Sequence, residues 1–286
     1  MSRVERDAMY DALARWQWRR RRDASSDVAI ELRKRLRPRA AADATGPVDG
    51  GAGLDHWLRS LAEWRGGERV LDLGCGFGAS SLRAAAAGAR ACFGVTPSRF
   101  QVAKAQELAA ARGLAAVCTF AAAEFEQAPA GPFDVVFAIE SLAHAEDLAA
   151  ALRAVRARLA PTGVLLWLDD RRVEVEGNAV DPDVRELAEC WASPPLPDSS
   201  TARAALAVAG LQLVREVDLT DRVPFVPPGK NRWRRTVLRG LGAIAPTASW
   251  RAVLRAFRGG LALERLYARG ACRYLLWMAR PFDPTA

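Results

Sequence analysis

Val70-Leu71-Asp72-Leu73-Gly74-Cys75-Gly76-Phe77-Gly78 is the stretch on which the reading of this chain turns. A short apolar run, three glycines at alternate positions and an Ala-rich segment at residues 79–87 spell strand, tight turn and helix. Glycines at 74, 76 and 78 let the backbone turn sharply at the carboxyl end of the strand. They bring N–H groups and the next helix N-terminus close to a ligand. Gly74, Gly76 and Ala79 also fit the GxGxxG/A turn of dinucleotide-binding proteins. The second half of that pattern is missing: an acid about 20 residues on should grip a ribose, yet the next strand ends Gly94-Val95-Thr96-Pro97-Ser98.

Outward from this turn the chain alternates. Strands are predicted over 91–95, 116–120, 133–139 and 164–168, with helices over 98–112 and 147–159, the latter ended by Pro161-Thr162-Gly163. Five strands interleaved with helices predict an α/β fold with a parallel, doubly wound sheet. Upstream, Leu54, Trp57, Leu58 and Leu61 recur at i, i+3, i+4 and i+7, the stripe of an amphipathic helix closed by Gly66-Gly67. Residues 1–45 read as helices dissolving into a Gly- and Ala-rich linker. Downstream, Pro194-Pro195-Leu196-Pro197 precedes a helix over 200–209 and a strand over 211–219, and a last strand falls at 274–278. Basic helical patterns near 233–241 and 250–258 lie between these two strands. The expected organisation is a helical N-terminal segment and linker at 1–53, a core at 54–220, a basic helical cap insertion at 221–272, and the last strand and tail at 273–286.

Half of the 286 residues are hydrophobic and 26% are charged, which excludes a disordered or collagen-like chain. The net charge of +8 is unevenly placed: residues 1–40 hold 12 basic and 6 acidic side chains, 229–286 hold 12 and 2, and 41–228 hold 17 and 25. Basic ends suit nucleic acid, an anionic membrane surface, or a substrate carrying phosphate or carboxylate. Coding bias is the alternative, since all but three of the 41 basic residues are Arg. Cys75, Cys92, Cys118, Cys190 and Cys272 are far apart and form no CxxC pair, so they read as reduced core residues. No apolar run approaches the roughly 20 residues that span a bilayer and no signal-peptide core follows the N-terminal arginines, so a cytoplasmic protein is expected.

The stretch from Val70 to Asp170 resembles the class I S-adenosylmethionine-dependent methyltransferases. Val70 to Gly78 is similar to their first motif, and Gly94-Val95-Thr96-Pro97-Ser98 followed by Gln101 resembles the branch containing sterol, tocopherol and prenyl-diphosphate methyltransferases, cyclopropane fatty acid synthases and antibiotic-sugar O-methyltransferases. The resemblance implies a Rossmann-like, mostly parallel seven-stranded sheet and S-adenosylmethionine as cofactor, released as S-adenosylhomocysteine. It implies that Asp72 and the turn at Gly74, Gly76 and Gly78 hold the methionine end, and that Thr96 and Gln101 bond the ribose hydroxyls. Glu124 then stands where the family usually has an Asp for the adenine amino group, with Phe125 beside the purine. As bare residues, Gln101 fits a solvated helix position and Glu124 a surface acid equally well.

Methyl transfer to a hydroxyl needs alignment, exclusion of water and removal of one proton. Only two histidines are present. His144 follows the fourth strand in Ile139-Glu140-Ser141-Leu142-Ala143-His144, at the sheet edge where such folds bind ligands, and it titrates near neutrality, so it is the candidate general base. The other reading is a polar residue capping the loop before Asp147. This segment resembles the Glu-Ser-Leu-His-His run of the sugar O-methyltransferases, with Ala143 in place of the first His. By the same resemblance Asp169, after the fifth strand, assists the histidine or orients the acceptor. Asp170 reads as a helix cap or a solvated neighbour. Glu140 orients the acceptor or a C-methylation cation, or bonds the loop backbone. His56 reads as structural.

Neither the Asn/Asp-Pro-Pro-aromatic run of amino-group DNA methyltransferases nor a nucleophilic Cys follows the fourth strand, and no zinc, RNA-recognition or helix-turn-helix pattern is present, so neither nucleic acid nor a metal site is expected. The cap helices, bearing Trp233, Trp250 and Phe257 among arginines, suit a small amphipathic substrate with an apolar body and an anionic group. The expected function is methylation of a small molecule in specialised metabolism, O-methylation ahead of C-methylation of an isoprenoid or lipid-like acceptor. A protein that keeps the cofactor as a structural element, such as a cyclase, is the competing reading.

Overall fold

Residues 69–73, with Val70, Leu71 and Leu73 buried and Gly74 following, form the strand on which the others are hung. The computed structural model describes residues 3–19, 34, 36, 37, 46, 47, 49, 51–174, 181–224 and 228–282. In chain order the elements are α1 (Arg3–Arg19), α2 (Ala52–Leu61), β1 (Arg69–Leu73), α3 (Ala79–Ala86), β2 (Ala91–Thr96), α4 (Arg99–Ala111), β3 (Cys118–Ala122), β4 (Phe133–Ile139), α5 (Leu148–Arg156) and β5 (Leu159–Arg172). They continue with α6 (Pro182–Trp191), α7 (Ser199–Val208), β6 (Leu211–Asp218), α8 (Pro228–Ile244), α9 (Ala248–Ala268) and β7 (Cys272–Pro281).

The seven strands form one sheet in the order β3-β2-β1-β4-β5-β7-β6. β1 to β5 are parallel, and β7 slots between β5 and β6 antiparallel to both. The chain winds outward from β1 to β3, then restarts at β4 on the other side of β1. The crevice at this reversal, beyond the carboxyl ends of β1 and β4, is where open α/β sheets bind ligands. Alternate residues of β1 feed the two faces: Val70 joins a core built with α2, α3, α4, α6 and α9, while Leu71 and Leu73 join one built with α5 and α7. The predicted Rossmann-like, mostly parallel sheet with helices on both faces is what forms. All five cysteines are buried and free.

Four elements differ most from the sequence reading. β5 runs to Arg172 because its far half is paired with β7, Asp169 opposite Leu275 and Asp170 opposite Tyr274, so these two acids lie in the strand and not beyond it. Its start absorbs Pro161 and Gly163 through a register irregularity against β4, between Phe133 and Val135. α6 was not anticipated, although Asp181-Pro182, a side-chain N-cap followed by Pro at the first helical position, announces it. α8 and α9 are longer than the two basic patterns that pointed to them, since their Gly and Ala residues carry no periodicity of their own.

Candidate active site

At the switch point the turn after β1 forms one wall of a cavity of about 280 Å³. Gly74, Gly76 and Gly78 have φ of 73°, 56° and 80°, left-handed values that other residues adopt only with strain. A Cβ on Gly74 would stand 2.4 Å from the Ser141 Cβ, and one on Gly78 2.8 Å from the Phe120 ring. The three glycines do different work: Gly74 and Gly76 border the cavity, whereas Gly78 caps α3 behind it. Asp72, buried at the end of β1, also reaches the wall and accepts from Ser81 Oγ at 2.7 Å.

Thr96 and Gln101 lie on the opposite side, both buried, with Thr96 Oγ1 donating to Gln101 Oε1 at 2.6 Å. Gln101 is therefore not a solvated helix residue. Ser98 caps α4 by accepting from Gln101 N at 3.1 Å, which fixes the backbone from which Gln101 projects. Glu124 and Phe125 complete this end. The Glu124 carboxylate is paired with Arg6 of α1, whose other nitrogen donates to Glu146 at 3.0 Å. The wall thus carries the carboxylates of Asp72, Glu124 and Glu140 against one guanidinium, Arg6. With its glycine-bounded cradle, this balance suits a ligand that bears a sulfonium and an ammonium, and S-adenosylmethionine fits these residues.

His144 closes the far end on a 3-10 turn, Leu142–His144. Tyr10 of α1 lies with its hydroxyl 3.2 Å from His144 Nδ1, and the Trp191 ring of α6 packs at 5.5 Å between centroids. The cap of α5 is Asp147, which accepts from Ala150 N at 2.8 Å. Burial lowers the His144 pKa to about 4 and raises that of Tyr10, leaving a neutral imidazole beside a protonated phenol.

Asp169 does not touch His144. Its buried Oδ2 accepts from Ala143 N at 2.8 Å and from Trp167 Nε1 at 3.3 Å, pinning the turn that presents the imidazole. Asp170 is neither cap nor solvated: it is buried, accepts from Lys34 Nζ at 2.8 Å and is bonded by the Tyr267 hydroxyl. Glu140, held at φ 52°, accepts from Lys34 N at 2.9 Å and from Tyr274 Oη at 2.7 Å, with Lys34 Nζ 3.4 Å away. Burial alone would lower the Lys34 pKa; Asp170 and Glu140 outweigh it and keep the ammonium charged. Tyr10, Arg6, Lys34 and Tyr274 were not among the sequence candidates, and no local pattern marks them. His56 is exposed on α2, outside the site.

The aromatic residues of the basic cap do not line the cavity as expected. Trp233, Trp250 and Phe257 are exposed, and Phe257 meets Trp16 at 4.9 Å. From α6 and α9, Trp191 and Ala256 reach the wall instead. The cap arginines Arg235, Arg258 and Arg265 converge on Glu186 at 3.0, 3.1 and 2.7 Å, so acids of α6, not a ligand, receive them.

A family model described as "Methyltransferase domain" matches residues 65–212, just over half of the chain. The chain belongs to this family, the class I S-adenosylmethionine-dependent methyltransferases. It is 30% identical over 158 residues to the O-methyltransferase rstn1 of Aspergillus nomiae, covering 54% of this chain and 69% of that protein. It is 27% identical over 197 residues to the cycloartenol-C-24-methyltransferase of Arabidopsis thaliana, covering 65% of this chain but only 57% of that one. Among solved structures, that of the [4+2]-cyclase SpnF superposes with a TM-score of 0.67 at 20% identity, covering 97% of this chain and 95% of the other. At that identity the likeness speaks for the fold alone.

Proposed function

We propose that the methyl group handled by this S-adenosylmethionine-dependent methyltransferase goes to a hydroxyl of a small, largely apolar acceptor, with His144 as the general base. The observation that carries this reading is the His144 imidazole, held by Tyr10 and Trp191, in the wall of the cavity that the glycine turn also borders. When bound, the cofactor supplies a methyl group on a positively charged sulfur, open to in-line displacement. The chain's part is to hold, orient and deprotonate. Asp72 and the turn at Gly74 and Gly76 receive the methionine end, Thr96 and Gln101 the ribose hydroxyls, and Glu124 with Phe125 the adenine. Arg6 must yield the Glu124 oxygen it now occupies. With Nδ1–H directed at the Tyr10 oxygen, His144 Nε2 keeps its lone pair and takes the acceptor proton. Asp169 holds the turn beneath it. α1 and Trp191 cover the cavity and exclude water. An anionic acceptor finds little support, because Arg6 is already paired with three carboxylates, those of Asp7, Glu124 and Glu146.

C-methylation of an isoprenoid is the second reading. It is favoured by Glu140, a carboxylate on the same wall that could face a developing carbocation, and by the likeness to a sterol C-methyltransferase. Isotope-labelled donor, incubated with phenolic, polyketide and prenyl acceptors, separates the two by the atom that gains the label. His144→Ala should lower O-methyl turnover by about 10²–10⁴-fold with donor affinity unchanged. Unchanged turnover removes the base assignment, and donor binding without any transfer favours a structural use of the cofactor.

A further inference from the structure

Helix α8 turns its polar side inward. Asn231 is buried, donates through Nδ2 to the Leu261 carbonyl at 3.2 Å and to Glu264 at 2.9 Å, and accepts from Arg265 Nη1 at 3.2 Å. Arg235, one turn on, pairs with Glu186. On the opposite side Trp233, Val237 and Leu241 follow at i, i+4 and i+8 and are 68%, 37% and 45% exposed. Trp250, in the first turn of α9, is 49% exposed. A surface helix normally buries its apolar stripe and wets its polar one. Single exposed apolar residues are ordinary, but a continuous stripe with aromatic residues marks an interaction face.

Charge says what kind of partner this face fits. The sequence of α8 holds five basic residues and no acid, and of these Arg235 is taken by Glu186. The exposed Arg234 sits beside Trp233, and the exposed Arg251 beside Trp250. The cavity does not use this charge, its own wall being rich in carboxylates. We infer that Trp233, Val237, Leu241 and Trp250, with Arg234 and Arg251, form a docking face for an anionic lipid surface. The indoles and aliphatic groups enter the headgroup boundary, and the arginines meet lipid phosphates. A second copy of the chain on this face would set cations against cations, whereas a phosphate-bearing surface complements them. No helix among the described residues is long and apolar enough to cross a membrane, so the contact is peripheral.

The test is sedimentation of the full chain with phosphatidylcholine vesicles, with and without about one third phosphatidylglycerol, at low salt and at high salt. Binding should appear only with phosphatidylglycerol and weaken with salt. Trp233→Ser combined with Val237→Ser and Leu241→Ser should weaken it at least roughly tenfold, and Arg234→Gln with Arg251→Gln roughly fivefold per arginine. Circular dichroism and donor binding monitor the fold; if the triple variant unfolds, Trp233→Ser alone is compared. The proposal falls if the wild-type chain ignores anionic vesicles or if the apolar variants bind as the wild type does. It falls also if the wild type dimerises in solution and loss of the stripe makes it monomeric, which would assign the face to a second copy.

Discussion

His144 is useful as a base only while it is uncharged, and its surroundings decide that. Burial is the largest influence and lowers its pKa to about 4; Asp170 and Glu140 pull it up, Lys34 and Arg6 push it down. A lowered value means that protonation, which removes the base, sets in at more acidic pH than for a free imidazole of about 6.5. The acid limb of the turnover profile should therefore lie below pH 5, with activity level through neutrality. Lys34→Met takes away one cation and leaves Asp170 and Glu140 unopposed, so the limb should move upward toward 6.5. A wild-type limb already at 6.5, or one indifferent to Lys34, would contradict this account of the imidazole. The same residues show why sequence reading stopped short: Glu140 could be picked out by its place after a strand, but Asp170 read as a cap or a solvated neighbour, and Lys34, more than a hundred residues earlier, could not be assigned to either.

At the scale of elements, α6 and α9 are held together by charge as much as by apolar packing. Arg265 bonds both Asp183 and Glu186, Arg258 and Arg235 reach Glu186, and Arg269 reaches Asp181 and Asp183. Burial would raise the pKa of Glu186, but the Arg258 hydrogen bond and the charges of Arg235 and Arg265 lower it overall. A depressed carboxylate contributes stability at neutral pH that is lost as pH falls through its folded-state value. Glu186→Gln leaves three guanidinium groups facing one another. Because they are partly exposed, the cost should be roughly 1–3 kcal/mol, under the roughly 3–5 kcal/mol of a fully buried pair, a drop of about 2–6 °C in melting temperature. Melting curves at pH 7 and pH 4 check both claims: the difference between wild type and variant should shrink in acid. Since Trp191 rides on α6, the clamp also sets the ring that packs on His144.

For the whole molecule, a cofactor bound at the switch point ties the two halves of the sheet and should stabilise the fold by mass action. S-adenosylhomocysteine at about a hundred times its dissociation constant should add roughly 2.7 kcal/mol and raise the melting temperature by about 5–10 °C. In Gly74→Ala the new Cβ would collide with Ser141 at 2.4 Å, and the rise should disappear even if that variant folds with a lower baseline. An undiminished rise would place the cofactor elsewhere. Apart from α6, the order of strand and helix could be read in sequence, as could the glycine cradle and the histidine after the fourth strand, because each depends on a few neighbouring residues and on a period of two or of 3.6. Which side chains of the covering helices meet which residues of the wall could not. Tyr10 meets His144, Lys34 meets Asp170 and Arg6 meets Glu124 across 134, 136 and 118 residues, and nothing local to either partner encodes such a meeting. The basic cap shows the same divide: its charge was plain in the sequence, but which way its helices face was decided only when Asn231, Arg235 and Arg265 found buried polar partners and left Trp233, Val237 and Leu241 on the outside.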